Sequence, residues 1–125
     1  MLEILINLIV ISLGGALGAE FRYFLTGKIK FSNPIPYGTL TVNVLGSFLL
    51  GAFTILSKLL LLPSWVVLFI ATGFLGCFTT MSTFAVESLG LAEQSNKLVV
   101  LNIGVMLTFV LLGALLGETV VTLLG

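Results

Sequence analysis

Thr39, Asn43 and Ser47 stand four residues apart, the spacing that stacks side chains along one face of a helix. Such a column of hydroxyl and amide donors can take over the waters of a small anion one hydrogen bond at a time. It can equally act as glue, because Ser, Thr and Asn hydrogen-bond between packed membrane helices. Spacing alone leaves both readings open. A second cluster runs Gly73-Phe74-Leu75-Gly76-Cys77-Phe78-Thr79-Thr80-Met81-Ser82-Thr83-Phe84. Glycine and consecutive β-branched threonines are poor helix formers, so an interruption is expected near residues 76–80; the competing reading is a continuous, hydroxyl-rich packed helix. At a break, exposed carbonyls suit a cation and the N-terminus of the following helix favours an anion. Phe84 follows the break, with Met81 three residues earlier on the same face. An aromatic edge carries partial positive charge and can solvate an anion without the full countercharge that would trap it. Packing against lipid or core is the plainer role for a lone phenylalanine.

The elements that must position these residues follow from composition. The chain has 125 residues, 58% hydrophobic and 8% charged, with mean hydropathy +1.28, whereas soluble domains carry about 25% charged residues. Lysine and arginine balance the acidic residues, which are all Glu; His is absent and Cys77 stands alone. A nucleic-acid binder needs a basic excess that is missing here. Histidine-based hydrolases, His/Cys zinc sites and disulfide scaffolds are excluded, and no base and nucleophile pair suggests an enzyme. An integral membrane protein remains.

Charges punctuate the chain, leaving 4–19, 31–57, 59–86 and 98–117 uncharged. About 20 mostly apolar residues cross roughly 30 Å of hydrocarbon. Four spans are therefore predicted, about 3–26, 38–60, 65–90 and 97–123, in a single domain. Breakers fall between them at Asn33-Pro34-Ile35-Pro36, Leu62-Pro63-Ser64 and Glu93-Gln94-Ser95-Asn96. Tyr37 and Trp65 open the second and third spans, where amphipathic rings suit the membrane interface. The first stretch lacks a basic leader and a small-residue cleavage site, so it reads as a span rather than a signal peptide. Lys28, Lys30 and Lys97 on one side outweigh Lys58 on the other, which favours a cytoplasmic 28–37 loop; so small a bias also permits both orientations. Gly14 with Gly18, Gly15 with Ala19, and Gly113 with Gly117 have the small-xxx-small spacing of closely packed membrane helices. Arg22, near the end of the first span, either concentrates anions at a vestibule or pairs with Glu20 or another subunit's carboxylate. Glu87 is expected to cap the polar end of the third span, and Cys77 to serve as a small filler.

Three motifs in this order, Gly14 to Tyr23, Gly38 to Gly51 and Gly73 to Phe84 with its Thr-Thr-x-Ser-Thr-Phe ending, resemble the Fluc (CrcB-like) family of fluoride channels. The resemblance covers spans one to three; span four matches in length and apolarity. It implies an all-α membrane protein of four transmembrane helices with a break in the third, assembled as an antiparallel dual-topology dimer. It further implies a structural Na+ at the dimer centre, held by the backbone carbonyls of Gly76 and Thr79. Fluoride pores would be lined by Asn43, with Thr39 and Ser47 in its column, and by Met81, Ser82, Thr83 and Phe84, with Arg22 at the vestibule. The implied activity is passive export of fluoride, which enters cells as neutral HF and ionises inside. A negative interior drives the anion out with about 2.3 kcal/mol per 100 mV. The implied partners are fluoride, membrane lipid and a second subunit, identical or a paralogue, with no nucleic acid.

Two departures stand out. Met81 occupies the place of a phenylalanine, a flexible thioether without an aromatic edge. Leu107, Leu111 and Leu115 fall where relatives tend to carry polar side chains, while Asn102 and Thr108 lie off that register. Both would suit a subunit with an impaired pore, completed by a paralogue as in relatives encoded by paired genes. A small multidrug transporter is the rival of similar size, but it needs a Glu in the middle of span one, and Glu20 lies near the end beside Arg22. A non-transporting assembly subunit needs only the glycine motifs and leaves the polar column and the interruption unexplained.

Overall fold

A computed structural model describes residues 1–29 and 35–125; Lys30 and the Asn33-Pro34 half of the first predicted breaker lie outside the described residues. The chain folds into α1 (Leu2–Lys28), α2 (Tyr37–Leu59), a third span over Ser64–Gln94, and α6 (Asn96–Leu124). All four are long and apolar enough to cross a membrane. Their ends lie within a few residues of those expected from the charges and breakers.

Each boundary has a local cause. Proline has no N–H and fixes φ, so Pro36 sits immediately before α2, where its carbonyl accepts from Leu40 N–H at 3.1 Å. After α2 the chain turns through Leu61 at φ 50°, the one left-handed non-glycine among the described residues. Leu62 N–H returns to the Ser57 carbonyl at 3.0 Å, and Pro63 starts the next helix. Ser95 caps α6, its hydroxyl accepting from Lys97 N–H at 3.3 Å.

The third span is not one helix. A short α3 (Ser64–Val67) passes into a π-helical stretch over Leu68–Leu75, then α4 (Gly76–Phe78). Thr79 (φ −80°, ψ 158°) and Thr80 (φ −148°, ψ 120°) are extended, and α5 (Met81–Gln94) follows. The expected interruption is present but narrower than the sequence suggested. Gly76, placed inside it, stays helical; the two threonines alone leave the helix, and Thr80 then caps α5 by accepting from Thr83 N–H at 3.2 Å.

In the assembled bundle, α2 lies along α6, α1 lies along the first half of the third span, and α5 leans on α6. Two glycines permit the approaches that matter. A methyl group at Gly18 would strike the Phe74 carbonyl oxygen, and one at Gly46 would strike the Thr79 methyl and crowd Phe78 Cδ1 at 3.1 Å. Gly46 thereby lets α2 press against the break. Phe74 stacks on Phe78 with centroids 6.0 Å apart and meets Phe21 of α1 edge-on at 5.7 Å. The interior core is small, centred on Val42, Leu75, Phe78, Phe84, Leu91 and Met106. Large apolar side chains such as Leu8, Phe24, Leu111 and Leu115 face outward along the spans, where hydrocarbon is the solvent. Cys77, expected as filler, is exposed.

Candidate functional site

A helix broken inside a membrane frees backbone groups, and each one left unsatisfied in hydrocarbon is costly. Asn43 satisfies this break from the neighbouring helix. Its Oδ1 accepts from Thr80 N–H at 2.7 Å and its Nδ2 donates to the Thr80 carbonyl at 3.0 Å. In an uninterrupted helix the Thr80 N–H would bond the carbonyl four residues back, at Gly76; the amide clamp diverts it and leaves that carbonyl without its helical donor. Thr79 N–H keeps its helical bond to the Leu75 carbonyl at 3.1 Å, and its hydroxyl donates to the same oxygen at 3.1 Å. The second Nδ2 hydrogen of Asn43 faces Met106 Sδ at 3.6 Å. The glue reading of Asn43 thus holds, since both ends of its amide are bonded.

Two pockets flank this clamp, and Thr80 walls both. The inner pocket, about 250 Å3, is lined by Asn43, Ser47, Thr79, Met81, Phe84, Met106, Leu107 and Val110, among others. The outer, a vestibule of about 380 Å3, is lined by Arg22, Tyr23, Thr26, Thr39, Thr83 and Glu87, among others. Polar and apolar linings therefore meet at one clamped pair of residues.

The predicted site residues divide between these spaces. Asn43, Ser47, Met81 and Phe84 come together in the inner pocket. Phe84 is only 6% exposed and so does not face lipid, whereas Met81 is 73% exposed at the rim. Thr39 departs from the single column that its spacing predicts. It opens on the vestibule, where its hydroxyl donates to Glu87 Oε1 at 2.8 Å. Glu87 Oε2 is buried with no hydrogen-bond partner among the described residues. Thr83 also faces the vestibule, its hydroxyl accepting from that of Thr80 at 2.9 Å. Ser82 lines neither pocket and sits with its Oγ 3.3 Å from Thr80 Oγ1. The cause is helical: consecutive residues of α5 point about 100° apart, so only the Met81 and Phe84 pair shares a face. Arg22 is on the wall of the outer pocket. Of the leucines expected along a pore face of the fourth span, Leu107 lines the inner pocket; Leu111 and Leu115 are exposed outside it.

Sequence reasoning passed over two contacts. Asn102, set aside as off register, is buried and donates to Ser88 Oγ at 3.1 Å, tying α5 to α6. Its rarity as an amide in so apolar a span is the signal that could have marked it. Met106 carries no such signal, because a methionine in an apolar helix reads as filler.

A bundle of four apolar spans, one of them broken at membrane depth around a hydrogen-bonding side chain and opening on a polar vestibule, defines a multi-pass membrane protein of the transport class. Comparison with known proteins narrows the class. A family model described as CrcB-like protein, Camphor Resistance (CrcB), matches residues 9–120. The chain is 40% identical over 114 residues to the fluoride-specific ion channel FluC of Shewanella halifaxensis, covering 86% of this chain and 92% of that protein. It is 42% identical over an alignment of 129 residues to the FluC of Saccharophagus degradans, covering 94% and 93%. With the FluC of Methanocaldococcus jannaschii it shares 42% identity over 88 residues, covering 70% and 71%. The chain belongs to the CrcB-like family.

Proposed function

We propose that this protein is a passive, fluoride-selective channel of the plasma membrane that exports F− from the cytoplasm, and not an enzyme. One observation carries the reading: the break in the third span is clamped by Asn43 beside a pocket where Ser47 and Phe84 also converge. An anion there meets neutral donors and an aromatic ring, which replace water without supplying a full countercharge. Arg22 at the vestibule draws anions toward it. Relatives that carry the name fluoride-specific ion channel support fluoride as the cargo.

A subunit with Met81 so exposed and a pocket so open on one side gains a complete wall from a second subunit, so the working unit proposed is an antiparallel, dual-topology dimer. The carbonyls of Gly76 and Thr79 fit a Na+ at its centre. Gly76 is exposed in the single chain, its carbonyl has lost its helical donor to the Asn43 clamp, and carbonyl oxygens are ligands for a hard cation. Bound there, Na+ would supply positive charge that ties the two breaks together. Met81 and Leu107 on the pocket wall favour a second version of the assembly, in which a paralogue completes a better pore.

Complementation tests the reading. A bacterium lacking its own fluoride exporter should regain growth on fluoride medium when it makes this chain, and should gain no resistance to cationic drugs. Drug resistance without fluoride rescue would establish the multidrug-transporter alternative instead.

A further inference from the structure

Asn43 has three hydrogen bonds of unequal strength. Two hold the Thr80 backbone at 2.7 and 3.0 Å, and the third ends on a thioether, Met106 Sδ, at 3.6 Å. Sulfur of this kind is a weak acceptor, while a hydrogen bond to an anion is roughly twice as strong as a neutral one. The sulfur bond is therefore the one of the three that an anion displaces at least cost, and its loss leaves the clamp on the break intact. Met106 is 4% exposed, yet it borders the inner pocket and its unbranched side chain can swing without moving the backbone. Ser47 lines the same pocket and its hydroxyl has no hydrogen-bond partner among the described residues, so a second donor stands ready.

We propose that Met106 is an affinity-setting placeholder: its sulfur holds the second Asn43 Nδ2 hydrogen and yields it to fluoride. The proposal rests on the channel reading above. It requires an acceptor weak enough to be displaced, so a stronger one at residue 106 must compete with the anion.

The test titrates fluoride against 15N-labelled protein in nanodiscs, following the Asn43 side-chain amide resonance, with chloride as control. Met106→Gln should raise the midpoint about tenfold, equal to ~1.4 kcal/mol, and Met106→Leu should leave it at or below the unsubstituted value. Met106→Thr offers a smaller acceptor with the same expected direction should the glutamine variant not fold. A midpoint that the acceptor variants leave unchanged or lower, or that Met106→Leu raises, overturns the proposal. A merely structural role for Met106 would move all the variants together. If fluoride shifts the resonance but liposomes holding the same protein release none, the channel reading fails while the placeholder stands.

Discussion

At the scale of the residue, Asn43 clamps the break and, in the proposed function, also meets the anion; its variants separate the two. Asn43→Ala leaves the Thr80 N–H and carbonyl without partners, a loss of about 1–3 kcal/mol for each buried group, and should lower the melting temperature of the detergent-solubilised protein by several degrees. Asn43→Asp keeps an acceptor for Thr80 N–H but adds a negative charge beside the pocket. Like charges 4 Å apart repel by ~4 kcal/mol at an effective dielectric of 20, so fluoride flux should fall by more than about a hundredfold. Phe84→Ile keeps an apolar side chain and removes the ring edge; slower efflux is expected with a stability loss of no more than about 1.5 kcal/mol, and an unaltered rate would reduce Phe84 to packing. Met81→Phe adds an aromatic edge at the pocket rim, where there is open space to take it, and should maintain or raise the efflux rate.

At the scale of the element, the break depends on packing as much as on its threonines. Gly18 brings α1 and Gly46 brings α2 against the third span, and the Gly46 approach is the one that lets Asn43 reach Thr80. Gly18→Leu should therefore destroy the folded bundle, seen as loss of the monodisperse peak on gel filtration, while Gly27→Ala, with open space around it, should leave the peak unchanged. The four spans were legible because charge and proline write them directly into the chain. The interruption was legible because two β-branched, hydroxyl-bearing residues in succession compete with the helix ladder. Its narrowness was not, since whether Gly76 stays helical depends on the partner that caps Thr80 from another helix. Likewise the four-residue spacing of Thr39, Asn43 and Ser47 gave a common face, but it could not reveal that Thr80 would divide that face between two pockets. Glu87 and Asn102 found their partners across helices, at sequence separations of 48 and 14, beyond the reach of any local pattern.

At the scale of the whole molecule, the bundle buries little of its own apolar surface and leaves Met81 and Gly76 open to the outside. A surrounding membrane accounts for the first, and the second subunit proposed above would cover the second. The central claim is that the clamped break and its pocket conduct fluoride. It is tested most directly by purifying this chain alone, sealing it into potassium fluoride-loaded liposomes, and following release with a fluoride electrode after valinomycin is added. The account predicts rapid fluoride efflux, no comparable chloride efflux, and near-complete loss of release in Asn43→Asp. Equal release of both halides, or undiminished release from Asn43→Asp, would contradict it.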